Sequence, residues 1–196
     1  MLTVITGPMW SGKSDDLIEI LDSFQEKHFR IHAFNSVTNH RDGSKWIKSR
    51  SGKKWPSEAV DDEYLDPAGD FFAEYSAIPD WVIAVDEGQF FGDRLIDLAC
   101  VARRRDAKFQ LVVAGLLLDS ENRPFGPMAT LQILANRSIE CTAWCFKCDG
   151  VARRTYSRTP KDEQVRVGDN GYEARCDICW ETGEAQKASM GYLCPA

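Results

Sequence analysis

Nowhere in the 196 residues does an apolar run approach the ~20 residues needed to cross a bilayer. The chain also enters a strand-like pattern at once, without a charged leader or a cleavable apolar segment. The expectation from both absences is a cytosolic protein with no membrane contact. Excess positive charge is missing too. A formal charge of −6 argues against a nonspecific nucleic-acid binder, which needs a basic surface to neutralise phosphates. The tryptophans show none of the basic-aromatic interleaving that stacks single-stranded nucleic acid, so no nucleic-acid partner is expected. Histidine is scarce: His28, His32 and His40 are the whole complement and read as surface or loop residues. There is no internal repeat, which sets solenoids and propellers aside.

What is present begins with Gly7-Pro8-Met9-Trp10-Ser11-Gly12-Lys13-Ser14, a fit to the phosphate-loop pattern G-x-x-x-x-G-K-[ST]. Strand-like Leu2 to Thr6 precedes it and a helical pattern from Lys13 to about Lys27 follows. Glycines let the backbone curl so that N–H groups point at phosphate oxygens, and the helix adds its positive end. The expected ligand is a nucleoside triphosphate, with Lys13 at the β and γ phosphates and Ser14 on Mg²⁺.

The first two thirds alternate strand and helix. A second strand is predicted over Phe29 to Asn35 and a buried one over Trp81 to Val85. A helix over Arg94 to Arg105, a strand over Phe109 to Gly115 and a short helix over Pro127 to Ala135 follow. A helix is also expected after Asp66-Pro67, and a strand over Ser138 to Cys145. Such order predicts a parallel sheet. Between them, Ser36 to Lys54 reads as a loop. Its stretch from Arg41 to Lys54 carries six basic residues against Asp42, a net +5 that leaves −11 elsewhere. A solvated, mobile loop is the expectation there rather than a specific anion site. Leu116 to Gly126 reads as a surface loop, and Gly183 to Ala196 has too few periodic apolar residues to assign.

Two further constellations carry chemistry. Asp86-Glu87 ends its strand where a parallel sheet places ligands, the end from which the phosphate loop also projects. Asp86 is expected to hold Mg²⁺, and the adjacent carboxylate to take a proton from an attacking hydroxyl. Cys145-x-x-Cys148 and Cys176-x-x-Cys179 are spaced like a zinc ribbon. Four thiolates leave no open position on a tetrahedral ion, so Zn²⁺ is expected to be structural. Cys100 and Cys141 read as small core residues, and Cys194 is uninformative. The fold expected is therefore α/β: a P-loop NTPase-type parallel sheet flanked by helices, with a small zinc-ribbon-like β subdomain. Boundaries fall at 1–143 for the nucleotide-binding domain, 144–182 for the zinc-binding subdomain and 183–196 for a tail.

In their order, GPMWSGKS, VDEGQFF (Val85 to Phe91), RPFGPM (Arg123 to Met128) and the two C-x-x-C pairs resemble the zinc-containing thymidine kinases of the cytosolic, tetrameric type. The resemblance implies transfer of the γ-phosphate of ATP to the 5′-hydroxyl of thymidine, with Mg²⁺ required and a homotetramer as the assembly. It implies that Glu87 is the general base and that Gly88 and Gln89 lie with the phosphate loop and Asp86 around the donor. Gln89 and Phe90 match positions near the nucleoside, and Met9 one close to the base. Ser120 stands in the base-stacking loop. Thr155, Val165, Val167, Gly168 and Tyr172 match a segment that closes over the base. The chain departs from the pattern where the family usually has Phe and this sequence has Trp10. It departs again where G-L-D-x-D-F-R becomes Gly115-Leu116-Leu117-Leu118-Asp119-Ser120-Glu121, replacing the stacking aromatic by Ser120. Asn39 replaces an Asp, with Arg41 retained. Two other readings stay open beside thymidine kinase: a kinase shifted toward a bulkier 5-substituted pyrimidine, and an inactive nucleotide-binding module.

Overall fold

The computed structural model describes residues 1–38, 45–75, 80–105, 109–158 and 171–189. The chain starts with β1 (Leu2–Thr6), α1 (Lys13–Glu26) and β2 (Arg30–Ser36). The short strands β3 (Trp46–Lys48), β4 (Lys54–Pro56) and β5 (Glu58–Val60) follow. Next come α2 (Asp70–Tyr75), β6 (Trp81–Val85), α3 (Asp93–Arg104), β7 (Phe109–Gly115), α4 (Met128–Leu134) and β8 (Arg137–Glu140). Strands β5, β2, β6, β7, β1 and β8 form one sheet in that order, and every pairing in it is parallel.

Alternation along the strands sends side chains to two apolar layers. Leu2, Val4, Ile83, Val85, Leu111 and Val113 face α3, whose Leu95, Leu98, Ala99 and Ala102 recur at helical spacing and are fully buried. On the other face, Ile5, Val82, Ala84, Val112 and Ala114 meet Leu17, Ile18 and Leu21 of α1. The sheet is thus buried on both sides, which is why β6 and β7 read as continuous apolar runs. The α/β class and parallel sheet expected from the sequence are what the structure has.

Several local expectations change. The stretch from Ser36 to Lys54 is not simply a loop: β3 and β4 pair antiparallel, and Ile47 is fully buried against the α1 layer. Residues 39–44, with Asn39, His40 and Arg41, lie outside the described residues. Leu116 to Gly126 is not a surface loop throughout. A Leu118–Pro124 bridge closes it, and Asp119 is buried, accepting from Glu121 N, Arg123 N and Arg123 Nε. The strand expected over Ser138 to Cys145 is two strands, β8 and β9 (Ala143–Trp144), with Cys141 between them. The segment from Gly183 is helical as far as Ser189, within α5 (Asp177–Ser189). Cys194 lies outside the described residues.

β9 pairs antiparallel with β10 (Val151–Ala152), and β11 (Arg154–Ser157) pairs antiparallel with β12 (Tyr172–Arg175). Arg175 is buried with its guanidinium 3.3 Å from the Tyr156 ring centroid, and Gly183 of α5 lies against both side chains. A side chain at Gly183 would collide there, so glycine is what lets α5 dock on the ribbon.

Candidate active site

The phosphate loop leaves β1 through Gly7 (φ 152°), where a Cβ would collide with the main-chain oxygen of Cys141. It enters α1 through Gly12 (φ 82°), which the left-handed region favours. Trp10 also sits at positive φ, 72°, an uncommon conformation for a bulky residue. Ser11 Oγ and Lys13 Nζ each donate to Pro8 O at 2.8 Å. Burial pulls the Lys13 amine below its ordinary range, while the charges of Glu87 and Asp86 oppose that shift.

β7 lies between β1 and β6, so the loop and the acidic pair project from the same sheet end with one strand between them. Ser14 Oγ closes the gap, donating to Asp86 Oδ2 at 3.1 Å. Asp86 is buried and also accepts from Glu87 N at 3.0 Å. Burial first, and then the neighbouring Glu87 charge, push its carboxyl up to about 7. The hydroxyl and carboxylate are hard oxygen donors of the kind that suit Mg²⁺.

Glu87 is left-handed, φ 54° and ψ 42°, at the entrance to a single 3-10 turn over Gly88–Phe90. Strain of this kind in a non-glycine residue collects at functional sites. The buried Gln89 fixes the Glu87 carboxylate: its Nε2 donates to Glu87 Oε2 at 2.6 Å, and its Oε1 accepts from Leu116 N at 2.9 Å. Gly88 packs where a Cβ would come within 2.6 Å of Val113 Cγ1, so the turn sits directly on the sheet. Phe90 meets Phe125 edge to face at 5.7 Å, giving Phe125 a packing role. Ser120 is buried, and its Oγ has no hydrogen-bond partner among the described residues.

The ribbon reaches back to this site. Thr155 Oγ1 accepts from Met9 N at 3.0 Å, and Thr155 O accepts from Trp180 Nε1 at 3.2 Å. Tyr172 is buried at the start of β12, opposite Ser157. Val165, Val167 and Gly168 lie outside the described residues. A cavity of about 130 Å³ opens between Pro8, Leu117, Gln132, Glu140, Arg153 and Thr155.

Cys145, Cys148, Cys176 and Cys179 converge with their sulfurs all within 4.8 Å of one another. Cys148 Sγ and Cys176 Sγ are 3.6 Å apart. Zn–S bonds of 2.3 Å in a tetrahedron put sulfurs about 3.8 Å apart, so the set fits a structural metal such as zinc. Burial would raise the Cys145 thiol, but N–H groups of Cys176, Lys147 and Cys148 outweigh it and hold the thiol down at about 6. Thiolate-stabilising N–H donors are what a metal knuckle requires.

Four contacts had no sequence signal of their own. Cys141 Sγ donates to Asp16 Oδ2 at 3.1 Å beneath the phosphate loop. Arg154 pairs with Asp177 at 2.7 Å and with Asn122, crossing from ribbon to loop. Arg50, at the hairpin turn, lies over the Trp10 ring.

A model of the thymidine kinase family matches residues 1–180. The thymidine kinase of Mycoplasma mobile is 31% identical over 194 residues, covering 98% of this chain and 93% of that protein. The thymidine kinase of Deinococcus deserti is 33% identical, covering 90% and 92%. That of Bacteroides thetaiotaomicron is 28% identical, covering 91% and 86%. These matches favour neither the shifted-base reading nor the inactive-module reading. With the family model matched over nearly its full length and relatives above 30% identity covering most of it, the chain belongs to the thymidine kinase family.

Proposed function

We propose that this protein transfers the γ-phosphate of ATP to the 5′-hydroxyl of thymidine, giving dTMP. The observation that carries the reading is the junction at one sheet end. There Ser14 bonds Asp86, while Gln89 holds the Glu87 carboxylate next to it. Phosphoryl transfer asks mainly for alignment and charge neutralisation, and this junction offers both.

Gly7 to Ser14 cradle the triphosphate, with Lys13 exchanging its bond to Pro8 O for the β and γ oxygens. Ser14 and Asp86 would hold Mg²⁺, whose charge would offset that developing on the transferred group. Gly88 and Gln89 line the donor side, and Gln89 aims Glu87. Glu87 takes the proton of the 5′-hydroxyl as its oxygen attacks phosphorus, and ADP leaves. Met9, Phe90, Ser120, Thr155, Val165, Val167, Gly168 and Tyr172 enclose the nucleoside. Cys145, Cys148, Cys176 and Cys179 would hold Zn²⁺, which would brace β12 and through it the paired strand that carries Thr155. On this reading 1–143 is the nucleotide-binding domain and 144–182 the zinc-binding subdomain, with 183–196 following. The assembly is a cytosolic homotetramer, as the resemblance implies.

Formation of dTMP from ATP and thymidine, with other deoxynucleosides in parallel and Mg²⁺ titrated, tests the proposal. Mg²⁺-dependent turnover with thymidine as the best acceptor supports it. Turnover restricted to another nucleoside, or none with any, would sink it.

A further inference from the structure

Residues 45–54 of the basic stretch have no part in the chemistry above, yet the structure carries Arg50 among them to the phosphate loop. Its hairpin is anchored by buried Ile47. Polar ties run from the turn to α1: Ser51 Oγ donates to Asp15 Oδ1, and Lys53 Nζ pairs with Glu19 at 2.6 Å. The turn is tight, with Gly52 at φ 95°, Gly52 N donating to Ser49 O and Ser49 N to Lys53 O. At its tip, Arg50 stacks with Cζ 3.5 Å from the Trp10 ring centroid. Trp10 also packs against Phe146, with the ring centroids 5.7 Å apart.

Charge around the loop gives this placement a purpose. Lys13 stands among Asp15 and Asp16 in the first helical turn and Asp86 and Glu87 at the strand end. Carboxylates at a helix N-terminus suit the helix dipole but repel an anion that must bind there. Lys13 is the one cationic side chain in the Gly7–Ser14 loop itself, and with Mg²⁺ it would offset only part of the charge of a triphosphate. Stacking engages the face of a guanidinium and is compatible with edge-on bonding to phosphate oxygens.

We infer that Arg50 is a phosphate-binding residue, a second cation that the β3–β4 hairpin brings to the phosphate loop, against Trp10, to hold the triphosphate of the bound nucleotide. The inference rests on the proposed kinase reading for the identity of that nucleotide. The stack on Trp10 positions the guanidinium, which gives the tryptophan a role that Phe would serve with less surface.

Calorimetric titration of the full chain with ATP, adenosine and inorganic tripolyphosphate tests it, comparing wild type with Arg50→Gln and Arg50→Lys. Arg50→Gln should bind ATP and tripolyphosphate about tenfold more weakly, as loss of one charged hydrogen bond implies. It should show a shallower salt dependence, while the thymidine KM stays put. Arg50→Lys should recover part of the loss. Unchanged ATP affinity in Arg50→Gln overturns the inference. So does a loss that lysine does not relieve and that leaves the salt dependence intact, because it would reflect packing on Trp10. Absence of thymidine phosphorylation by the wild type would count against the kinase reading, with tripolyphosphate still reporting on Arg50.

Discussion

Asp86 is held in two ways that pull against each other. Ser14 and Glu87 N donate to its oxygens, which favours the carboxylate, but burial and the Glu87 charge win and push it up to about 7. Its folded value lies above that of the unfolded chain, so protonated Asp86 stabilises the fold fully below about pH 4, and the contribution is lost as pH rises through about 7. The zinc-loaded, nucleotide-free protein should therefore lose thermal stability between about pH 5 and about pH 8. Asp86→Asn, whose amide can still bond Ser14 and Glu87 N, should melt higher than wild type at the alkaline end. A melting profile with the same pH slope in both proteins would contradict this. At this scale the acidic pair was readable, because an apolar strand ending in Asp-Glu behind a phosphate loop has few other uses. The aim of Glu87 was not readable: it depends on Gln89 being gripped by Leu116 N, a contact between segments 27 residues apart.

Among the elements, the hairpin and the 3-10 turn do the positioning. Ile47→Ala empties a fully buried site and should cost about 2–5 kcal/mol of unfolding free energy, read by denaturant titration. A cost near zero would mean that the hairpin does not pack as described. Gly126 sits at φ 53° where a Cβ would collide with Gln89 O. Gly126→Ala should destabilise by about 1–3 kcal/mol and disturb Glu87 through Gln89, so that kcat falls along with Tm. Loss of Tm with an unchanged kcat would separate the two residues. Helical and parallel-strand elements were legible because their periodicities are strong: α3 places Leu95, Leu98, Ala99 and Ala102 on one face. The hairpin was hidden because a charged three-residue strand with one buried residue has no period to detect. α5 was hidden because its contact depends on Gly183 and on cations over Tyr156, not on an apolar stripe.

Across the whole molecule, ribbon and sheet meet at the phosphate loop, through Met9 N to Thr155 Oγ1 and through Trp10 against Phe146. A module whose cysteine knuckle packs on a core cluster with only Cys145, Ala152 and Ala174 buried would depend on the metal that its four cysteines fit. Verified zinc removal by a chelator should lower Tm and raise the thymidine KM, since Thr155 loses its support. Unchanged melting after metal loss would contradict the bracing role. The cysteine spacing announced this centre in the sequence, but not that one strand of the ribbon would hold a main-chain N–H of the phosphate loop. That contact joins residues 146 positions apart and belongs to tertiary packing alone. On the proposed reading, all of these parts serve one carboxylate, that of Glu87. The turnover number of Glu87→Gln with ATP, Mg²⁺ and thymidine, alongside its ATP affinity, tests the account most directly. A fall of about 10²–10⁴-fold in kcat with ATP affinity intact is the predicted result for loss of a general base. A rate near that of the wild type would show that Glu87 does not take the proton.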